Sequence, residues 1–309
     1  TNMKKFIIDV TIFLLLVLAS IAGVFLLANG KSDAYYVRFT TPRQHSLIIG
    51  TSRAAQGLQP AVFDSLLYKN SPKHFFNYAF TITDSPFGPA YLESIENKLD
   101  PAEKDGIFIV AVDPWSISGA VNNPGDTVQF REEKSFIGKT KQVNLNPNIP
   151  YLVQSYAEPY ANIIRKWRSN NDMFLHNDGW LQIDVGMDSV SVAKRRENKM
   201  ADYRKNYLPV YKFSQTRFNY LQQTIQFLQQ HGKVFLVRLP VHTGMFEIED
   251  ELMPDFDNRI TSLAGQMNTP FLNFKTLPNN YLYVDGNHLY KTSGREVSAI
   301  IANWVAGNR

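Results

Sequence analysis

A serine, an aspartate and a histidine stand where the side chains of an α/β protein can act together. Ser52 lies two residues after the apolar run 46–50, and Asp285 and His288 lie three residues apart near the other end of the chain. An imidazole can take a proton from a serine hydroxyl through one ring nitrogen while its other N–H donates to a carboxylate. The pattern predicts Ser52 as a nucleophile, His288 as its general base and Asp285 as the group that orients the imidazole.

Each of these residues also has a simpler explanation. A serine after a strand commonly caps a helix, and Asp-x-x-His occurs often by chance. The order Ser, Asp, His at the two ends of one α/β chain is more specific, because ligands of an open parallel sheet bind beyond the carboxyl ends of its strands. We therefore expect the two ends of the chain to meet at one edge of the sheet.

Short apolar runs alternate with helical patterns along the chain. The runs predict strands at 46–50, 74–80, 106–112, 233–241 and 270–274. The helical patterns predict helices at 59–67, 88–99, 216–232 and 255–267, and a turn followed by a helix at 285–305. Gly232 is expected to end one of these helices as its C′ residue. The alternation favours βαβ units and a mostly parallel sheet.

The N-terminal segment is predicted to cross a membrane. Lys4 and Lys5 precede a stretch, residues 10–28, that contains no charged residue and is long enough to span about 30 Å of hydrocarbon as a helix. Because lysines beside a span stay in the cytoplasm, the rest of the chain is expected outside. The alternative is a cleaved signal peptide, for which the small residues of Ala-Ser-Ile-Ala-Gly offer a cleavage site.

These features divide the chain into four parts. Residues 1–5 are expected in the cytoplasm, 6–28 in the inner membrane as a single span, 29–44 as a connector, and 45–309 as an extracytoplasmic (periplasmic) α/β domain. Residues from about 119 to 213 are rich in Asn, Pro, Tyr and charge and show weak periodicity. We interpret that segment as an insertion with several short helices, because so long a loop without structure would be unusual.

Composition excludes several classes of function. The chain of 309 residues has a net charge of +4 and scattered basic residues, which argues against nucleic-acid binding. It contains no cysteine, which excludes disulfides, thiolate nucleophiles and cysteine-based metal sites. His176 and Asp178 are too few and too poorly spaced to form a metal site. We therefore predict neither a metal nor a cofactor.

Two sequence blocks resemble those of the SGNH (GDSL-like) hydrolase superfamily. The segment IIGTSRAAQG, which contains Ser52, resembles the first block of that family, and VDGNHLYKTSG, which contains Asp285 and His288, resembles the last. The resemblance covers residues 45–305 in outline, with the insertion as an addition. It implies a flavodoxin-like, three-layer fold with a parallel sheet, and it implies the same roles for the three residues.

The resemblance is incomplete at the groups that stabilise an oxyanion. Family members use the backbone N–H of the nucleophile, a small residue after the second strand, and an asparagine from a Gly-x-Asn-Asp block. In this chain the second-strand region reads NYAF, so Asn77 or Ala79 is the nearest match. The third block is missing, and VAVDPWSIS, with Asp113, Trp115 and Ser116, stands in its place. The asparagine donor of the family therefore has no counterpart in this sequence.

Four further residues are candidates for substrate binding. Arg53 could hold a carboxylate or phosphate, or it could be the partner of a surface cap. Arg238 and His242 lie at the end of a core strand and are expected near the same edge of the sheet. His242 is either a rival base or an ordinary polar residue of that edge. Trp115 could stack on a sugar, or it could cap the core.

The layout resembles that of membrane-anchored SGNH-like proteins that work beside membrane-bound O-acyltransferases. The D-alanyl transfer protein of teichoic-acid modification and the acetylation proteins of exopolysaccharide export are of this kind. The resemblance implies transfer or hydrolysis of an acyl (acetyl-like) ester on a cell-envelope polysaccharide. Its implied partners are the lipid bilayer, a membrane-bound O-acyltransferase and the polysaccharide. The alternative is a catalytically inactive structural subunit of a membrane complex, whereas a carbohydrate-binding module would leave the Ser-Asp-His pattern unexplained.

Overall fold

The computed structural model describes residues 2–120, 130–169 and 172–308. Residues 1, 121–129, 170–171 and 309 lie outside the described residues, so the predicted N-terminal part, insertion and domain are described without them. The strands within the described residues are β1 (Ser46–Ile49), β2 (Phe75–Asn77), β3 (Gly106–Ala111), β4 (Ser118–Ala120), β5 (Met173–Leu175), β6 (Leu181–Ile183), β7 (Tyr211–Phe213), β8 (Gly232–Arg238) and β9 (Phe271–Asn273). The α-helices are α1 (Asn2–Leu26), α2 (Ser52–Gly57), α3 (Pro60–Leu67), α4 (Pro89–Lys98), α5 (Arg131–Lys134), α6 (Phe136–Lys139), α7 (Ile149–Gln154), α8 (Ala161–Arg168), α9 (Ser189–Asp202), α10 (Gln215–Gln229), α11 (Thr243–Leu252), α12 (Phe256–Gln266) and α13 (Lys291–Gly307).

Five strands form a parallel sheet at the centre of the domain. Their order is β2-β1-β3-β8-β9, and every neighbouring pair is parallel. Counted along the chain within this sheet, the order is 2-1-3-4-5, which is the doubly wound, flavodoxin-like arrangement. The predicted α/β fold is therefore confirmed. The order reverses at β1, which has β2 on one side and β3 on the other, and such a reversal opens a crevice at the carboxyl ends of the strands.

Helices cover both faces of this sheet. Because alternate side chains of a strand point to opposite faces, Leu47 and Ile49 of β1 belong to one apolar cluster and Ile48 belongs to another. The first cluster includes side chains of α4, α10 and α12, and the second includes side chains of α2, α3 and α13. The central strands are buried on both faces, which explains why they read as uniformly apolar runs.

The insertion lies between β3 and β8. It begins and ends at an antiparallel pair in which Ser118 of β4 lies opposite Phe213 of β7. Between these strands lie helices α5 to α9 and the antiparallel pair of β5 and β6. The region is mainly helical, as expected. The sequence did not predict its two strand pairs, because each strand has three residues, too few for a periodic signal.

Helix α1 projects from the domain with its apolar side chains exposed over most of its length. In the described part of the chain it is the one helix long and apolar enough to cross a membrane. A signal sequence near the N-terminus can meet the same criterion of length and apolar character. Its last turn packs on the domain, where the ring of Phe25 lies edge-on to that of Tyr160 with centroids 5.1 Å apart.

Gly232 differs from its predicted role. Helix α10 ends at Gln229, and Gly232 is the first residue of β8 rather than the C′ residue of the helix. It lies opposite Gly106, the first residue of β3, and a Cβ atom on Gly232 would lie 2.0 Å from the carbonyl oxygen of Gly106. The glycine therefore permits the close approach of two parallel strands.

Candidate active site

The turn after β1 places Ser52 at the start of α2. Gly50 has a φ of +148°, and a Cβ atom there would lie 2.9 Å from both the Cβ and the carbonyl oxygen of Ala111, so the turn requires glycine. Thr51, not Ser52, occupies the N-cap position of α2. The Thr51 hydroxyl donates to Asp113 Oδ2 at 2.9 Å, which joins the loops after β1 and β3. Ser52 therefore has no capping role in this helix.

Ser52, His288 and Asp285 form a continuous hydrogen-bonded row, called the triad below. Ser52 Oγ lies 2.8 Å from His288 Nε2, and His288 Nδ1 lies 3.0 and 2.9 Å from Asp285 Oδ1 and Oδ2. The side chains of His288 and Asp285 are largely buried, and Ser52 is half-buried. These separations are within hydrogen-bond reach. With the Nδ1 proton donated to Asp285, Nε2 accepts the hydrogen bond from the Ser52 hydroxyl.

The loop before α13 holds Asp285 as a charged carboxylate. Its Oδ1 accepts the backbone N–H groups of Asn287 and His288 at 3.0 and 2.9 Å, and Lys199 Nζ lies 3.5 Å from Oδ2. Burial alone would raise the pKa of Asp285, but His288, Lys199 and the backbone donor hold that pKa well below its usual value. Asp285 is therefore ionised at neutral pH and can stabilise a protonated His288 ring.

Arg53 points away from the crevice, unlike its predicted position as a substrate-binding residue. Its side chain is buried, and Nε and Nη2 donate to Asn287 Oδ1 at 2.9 and 2.6 Å. Its Nη1 forms an ion pair with Glu249 Oε1. Because a helix turns by about 100° per residue, the side chain after Ser52 faces another direction. Arg53 thus holds Asn287, the neighbour of His288, rather than a ligand.

Arg238 lies behind the triad in a buried ion network formed by Arg53, Glu249, Arg238 and Asp257. Glu249 is fully buried between the two guanidinium groups, and Arg238 donates to Glu249 Oε2 at 2.7 Å and to Asp257 Oδ1 at 2.5 Å. The Arg238 side chain is 1% exposed, so it does not occupy the ligand-binding position that the sequence suggests. Buried charges require partners, and the guanidinium finds them in the carboxylates of α11 and α12.

Asn77 and Ala79 are fully buried and hydrogen-bonded within the fold. Both amide N–H bonds of Asn77 are donated to backbone oxygens, those of Ala54 and Leu58 at 2.8 Å. Asn77 Oδ1 accepts the N–H of Ala79 at 3.2 Å. Asn77 therefore ties the end of α2 to β2, and the oxyanion role predicted for Asn77 and Ala79 is replaced by a structural one.

Trp115 is buried at the base of the insertion rather than exposed to a sugar. Its side chain is 1% exposed, and it meets three tyrosine rings edge-on. The three rings are those of Tyr203, Tyr207 and Tyr211, with centroids at 4.9, 6.1 and 6.4 Å. The short 3₁₀ helix Pro114–Ile117, which Asp113 caps, turns the indole into this cluster. The core-capping alternative thus describes its position.

His242 is the N-cap residue of α11. Its Nδ1 accepts the N–H of Gly244 at 3.2 Å, and its Nε2 lies 3.3 Å from Arg196 Nη1. Burial and the Arg196 guanidinium both lower the pKa of His242. Among the described residues, the imidazole that contacts Ser52 is that of His288, so the geometry does not support His242 as a rival base.

Sequence reasoning missed four residues that surround the triad: Lys199, Tyr203, Glu249 and Asn287. Asn287 lies inside the Asp-Gly-Asn-His segment, so its place beside the histidine could have been inferred from spacing. Its Nδ2 lies 3.4 Å from both His288 Nε2 and the hydroxyl of Tyr203. The insertion contributes Lys199 and Tyr203 and α11 contributes Glu249, and no short-range pattern links these three to Ser52.

Comparisons with known proteins give distant likenesses. No protein-family profile and no curated protein matches the sequence. Est24, a carbohydrate acetylesterase from Sinorhizobium meliloti, is similar in structure with a TM-score of 0.41 and 12% identity, over 86% of this chain and 100% of that chain. The native aryl esterase of M. smegmatis has a TM-score of 0.39 and 10% identity, over 85% and 99% of the two chains. Because these values are low, the function proposed below rests on the geometry of this chain's own residues.

Proposed function

We propose that this chain is a membrane-anchored serine esterase or acyltransferase of the SGNH type. Ser52 is the nucleophile, His288 the general base and Asp285 the orienting carboxylate. The observation that carries this proposal is the unbroken hydrogen-bonded row from Asp285 through His288 to Ser52, beside the reversal of strand order at β1. Doubly wound sheets bind ligands at that place. The two sequence blocks around these residues support the same assignment.

The proposed reaction passes through an ester on Ser52. Ser52 Oγ attacks the carbonyl carbon of an acyl ester while His288 Nε2 takes the hydroxyl proton. When the tetrahedral intermediate collapses, the bond to the leaving alcohol oxygen breaks and His288 returns the proton to that oxygen. Water or a sugar hydroxyl, deprotonated by the same imidazole, then attacks the seryl ester. Release of Ser52 completes hydrolysis in the first case and acyl transfer in the second.

We propose that two N–H groups stabilise the oxyanion. No described residue accepts a hydrogen bond from the backbone N–H of Ser52, the first residue of α2. Arg53 binds Asn287 Oδ1, which turns the amide nitrogen of Asn287 toward His288 Nε2. The single lone pair of Nε2 accepts the Ser52 hydroxyl, so the Asn287 N–H that points toward Nε2 is open to the developing oxyanion. We propose these two donors in place of the missing asparagine of the family.

We also propose that α1 anchors the enzyme in the inner membrane, with the N-terminus in the cytoplasm and the α/β domain outside. The length and apolar character of α1 support this, and Lys4 and Lys5 support the orientation. The resemblance to membrane-anchored SGNH-like proteins supports an acyl ester of a cell-envelope polysaccharide as the substrate. The same resemblance supports a membrane-bound O-acyltransferase as a partner.

Labelling with a fluorophosphonate probe tests the proposed nucleophile. We expect the unmodified chain to be labelled, Ser52→Ala to lose the label, and His288→Ala to react at least about 10²-fold more slowly. Ser65→Ala is a matched control, because Ser65 is an exposed serine of α3 that donates to Val62 of its own helix. It should be labelled like the unmodified chain. A label that persists in Ser52→Ala would contradict the proposal.

A catalytically inactive subunit of a membrane complex is the second candidate, and two observations favour it. Both amide N–H bonds of Asn77 are used within the fold, and the third sequence block of the family is missing. This candidate predicts that the folded chain is not labelled and that it copurifies stably with another membrane protein. It also predicts that Ser52→Ala leaves its function in cells unchanged.

A further inference from the structure

Helix α8 of the insertion presents an apolar stripe to solvent. Tyr160, Ile164 and Trp167 follow one another at spacings of four and three residues, which places them on one face of the helix. Their side chains are 37%, 37% and 49% exposed. The adjacent Ile163 is fully buried in the domain, so α8 is held firmly while this stripe remains uncovered.

The preceding helix, α7, also has exposed apolar side chains. Ile149 and Val153 of α7 are 53% and 61% exposed, and the hydroxyl of Tyr160 donates to the backbone oxygen of Leu152 at 3.0 Å, which joins the two helices. We call the five exposed side chains the α7–α8 patch: Ile149, Val153, Tyr160, Ile164 and Trp167. Single exposed apolar residues are ordinary, whereas several on two adjoining helices indicate a contact surface.

The α7–α8 patch adjoins the end of the proposed membrane anchor. Phe25, in the last turn of α1, packs edge-on against Tyr160 with ring centroids 5.1 Å apart. The next residue, Leu26, is 70% exposed. The C-terminal end of α1 therefore adjoins the patch through the contact between Phe25 and Tyr160.

The charges around the patch suit an anionic lipid surface. Arg165 and Arg168 of α8 are exposed. Arg165 interacts electrostatically with Glu158, which pairs with Lys166, and Arg168 forms no ion pair with a residue in the described ranges. Tryptophan and tyrosine concentrate at the boundary between a membrane and water. Short helices with an apolar face, a tryptophan and flanking basic residues lie in the headgroup layer, where anionic lipids attract arginine.

We propose that the α7–α8 patch rests in the headgroup layer of the bilayer that α1 spans, with Arg165 and Arg168 beside anionic lipid phosphates. The domain then has two attachments to the membrane, the α1 helix and this surface, and they fix its orientation. The proposal rests on the membrane anchoring by α1 and does not depend on the chemistry of Ser52.

Single-cysteine labelling of the full chain tests this proposal, because the chain has no cysteine of its own. Ile164→Cys and Val153→Cys place an environment-sensitive fluorophore in the patch. Leu66→Cys is the matched control, because Leu66 of α3 is 45% exposed. Helix α3 covers one face of the sheet, and the apolar cluster that contains Phe25 covers the other. Each chain is inserted into nanodiscs of phosphatidylcholine and phosphatidylglycerol, and quenching by aqueous iodide and by nitroxide-labelled lipid is measured.

We expect iodide quenching at 153 and 164 to be severalfold weaker than at 66, and lipid quenching to be severalfold stronger. Equal iodide quenching at all three positions of an inserted chain would overturn the proposal and leave the anchoring by α1 intact. A chain that does not insert would overturn both. Shielding that occurs in native membranes and is lost in lipid-only nanodiscs would show that a protein partner covers the patch, which also overturns the proposal.

Discussion

The triad and the buried ion network adjoin each other through Arg53, and they hold their polar groups in opposite ways. Ser52 is half-buried, and its hydroxyl contacts one side chain, His288. Glu249 is fully buried, and both of its oxygens meet guanidinium groups. Arg53 joins the two regions, because it pairs with Glu249 and holds Asn287. The difference indicates that solvent access distinguishes side chains that can contact a substrate from buried side chains that hold the first set in position.

The largest expected effect is a loss of esterase activity in a Ser52 variant that keeps its stability. Ser52→Ala removes the nucleophile and should lower the rate of ester hydrolysis by about 10⁴-fold or more. Because the substitution removes a single hydrogen bond, it should change the free energy of unfolding by less than about 1.5 kcal/mol. Initial rates on an acetyl ester and a urea unfolding curve check the two parts. A large loss of stability in Ser52→Ala would place Ser52 in the structural region instead.

The next effect concerns the ion network. Glu249→Ala leaves buried Arg53 without its carboxylate and buried Arg238 with Asp257 alone, and should lower the free energy of unfolding by about 3–5 kcal/mol. The matched control is Asp250→Ala, which removes the neighbouring carboxylate, 45% exposed and paired with Lys275. Exposed pairs contribute about 1 kcal/mol or less. Urea unfolding of both variants checks this, and equal losses would contradict the distinction between buried and exposed pairs.

The third effect tests Asn287, the proposed oxyanion donor that Arg53 holds. Asn287→Asp keeps an oxygen for Arg53 but removes the amide N–H bonds, and should lower kcat by about 10²–10³-fold with little change in KM. Tyr203→Phe is the control, because it removes the other group near Asn287 Nδ2 and leaves that donor in place. Steady-state kinetics of both variants check this. An unchanged kcat in Asn287→Asp would exclude Asn287 as an oxyanion donor.

The smallest expected effect is a change of stability with pH. The pKa of folded Asp285 lies well below the ordinary value of 3.8, so its charge stabilises the fold above pH 3.8, and this contribution is lost as the pH falls further. The unmodified chain should therefore melt at a higher temperature than Asp285→Asn at pH about 7, with a difference that shrinks below pH about 4. Thermal melts across this range check the prediction. A difference that does not vary with pH would contradict it.

Much of the fold follows from local patterns in the sequence. Uniformly apolar runs predicted the five strands of the parallel sheet, because a strand buried on both faces has no polar alternation. The helix that follows each run predicted βαβ units. The same patterns misplaced Gly232, which permits close contact between β3 and β8 rather than ending a helix. A C′ glycine and a glycine between strands look alike in the sequence, because both need the absence of a Cβ atom.

The candidate site was predicted in part, and the failures share one cause. Ser52, Asp285 and His288 come together as their residue types and positions suggested. Arg53 and Arg238 were expected at the surface of the crevice, yet both are buried in ion pairs. Proximity to a strand end fixes where a residue's backbone lies, whereas the direction of its side chain depends on partners from distant segments.

The sequence by itself determined the strands of the central sheet, the apolar character of α1, and the three residue types of the triad. Each of these depends on local periodicity or on residue chemistry. Tertiary structure alone decided that Asn77 is used inside the fold, that Arg53 binds Asn287, and that the insertion supplies Lys199 near Asp285. These contacts join segments far apart in the chain, and they form because buried polar groups require partners that only the packed fold provides.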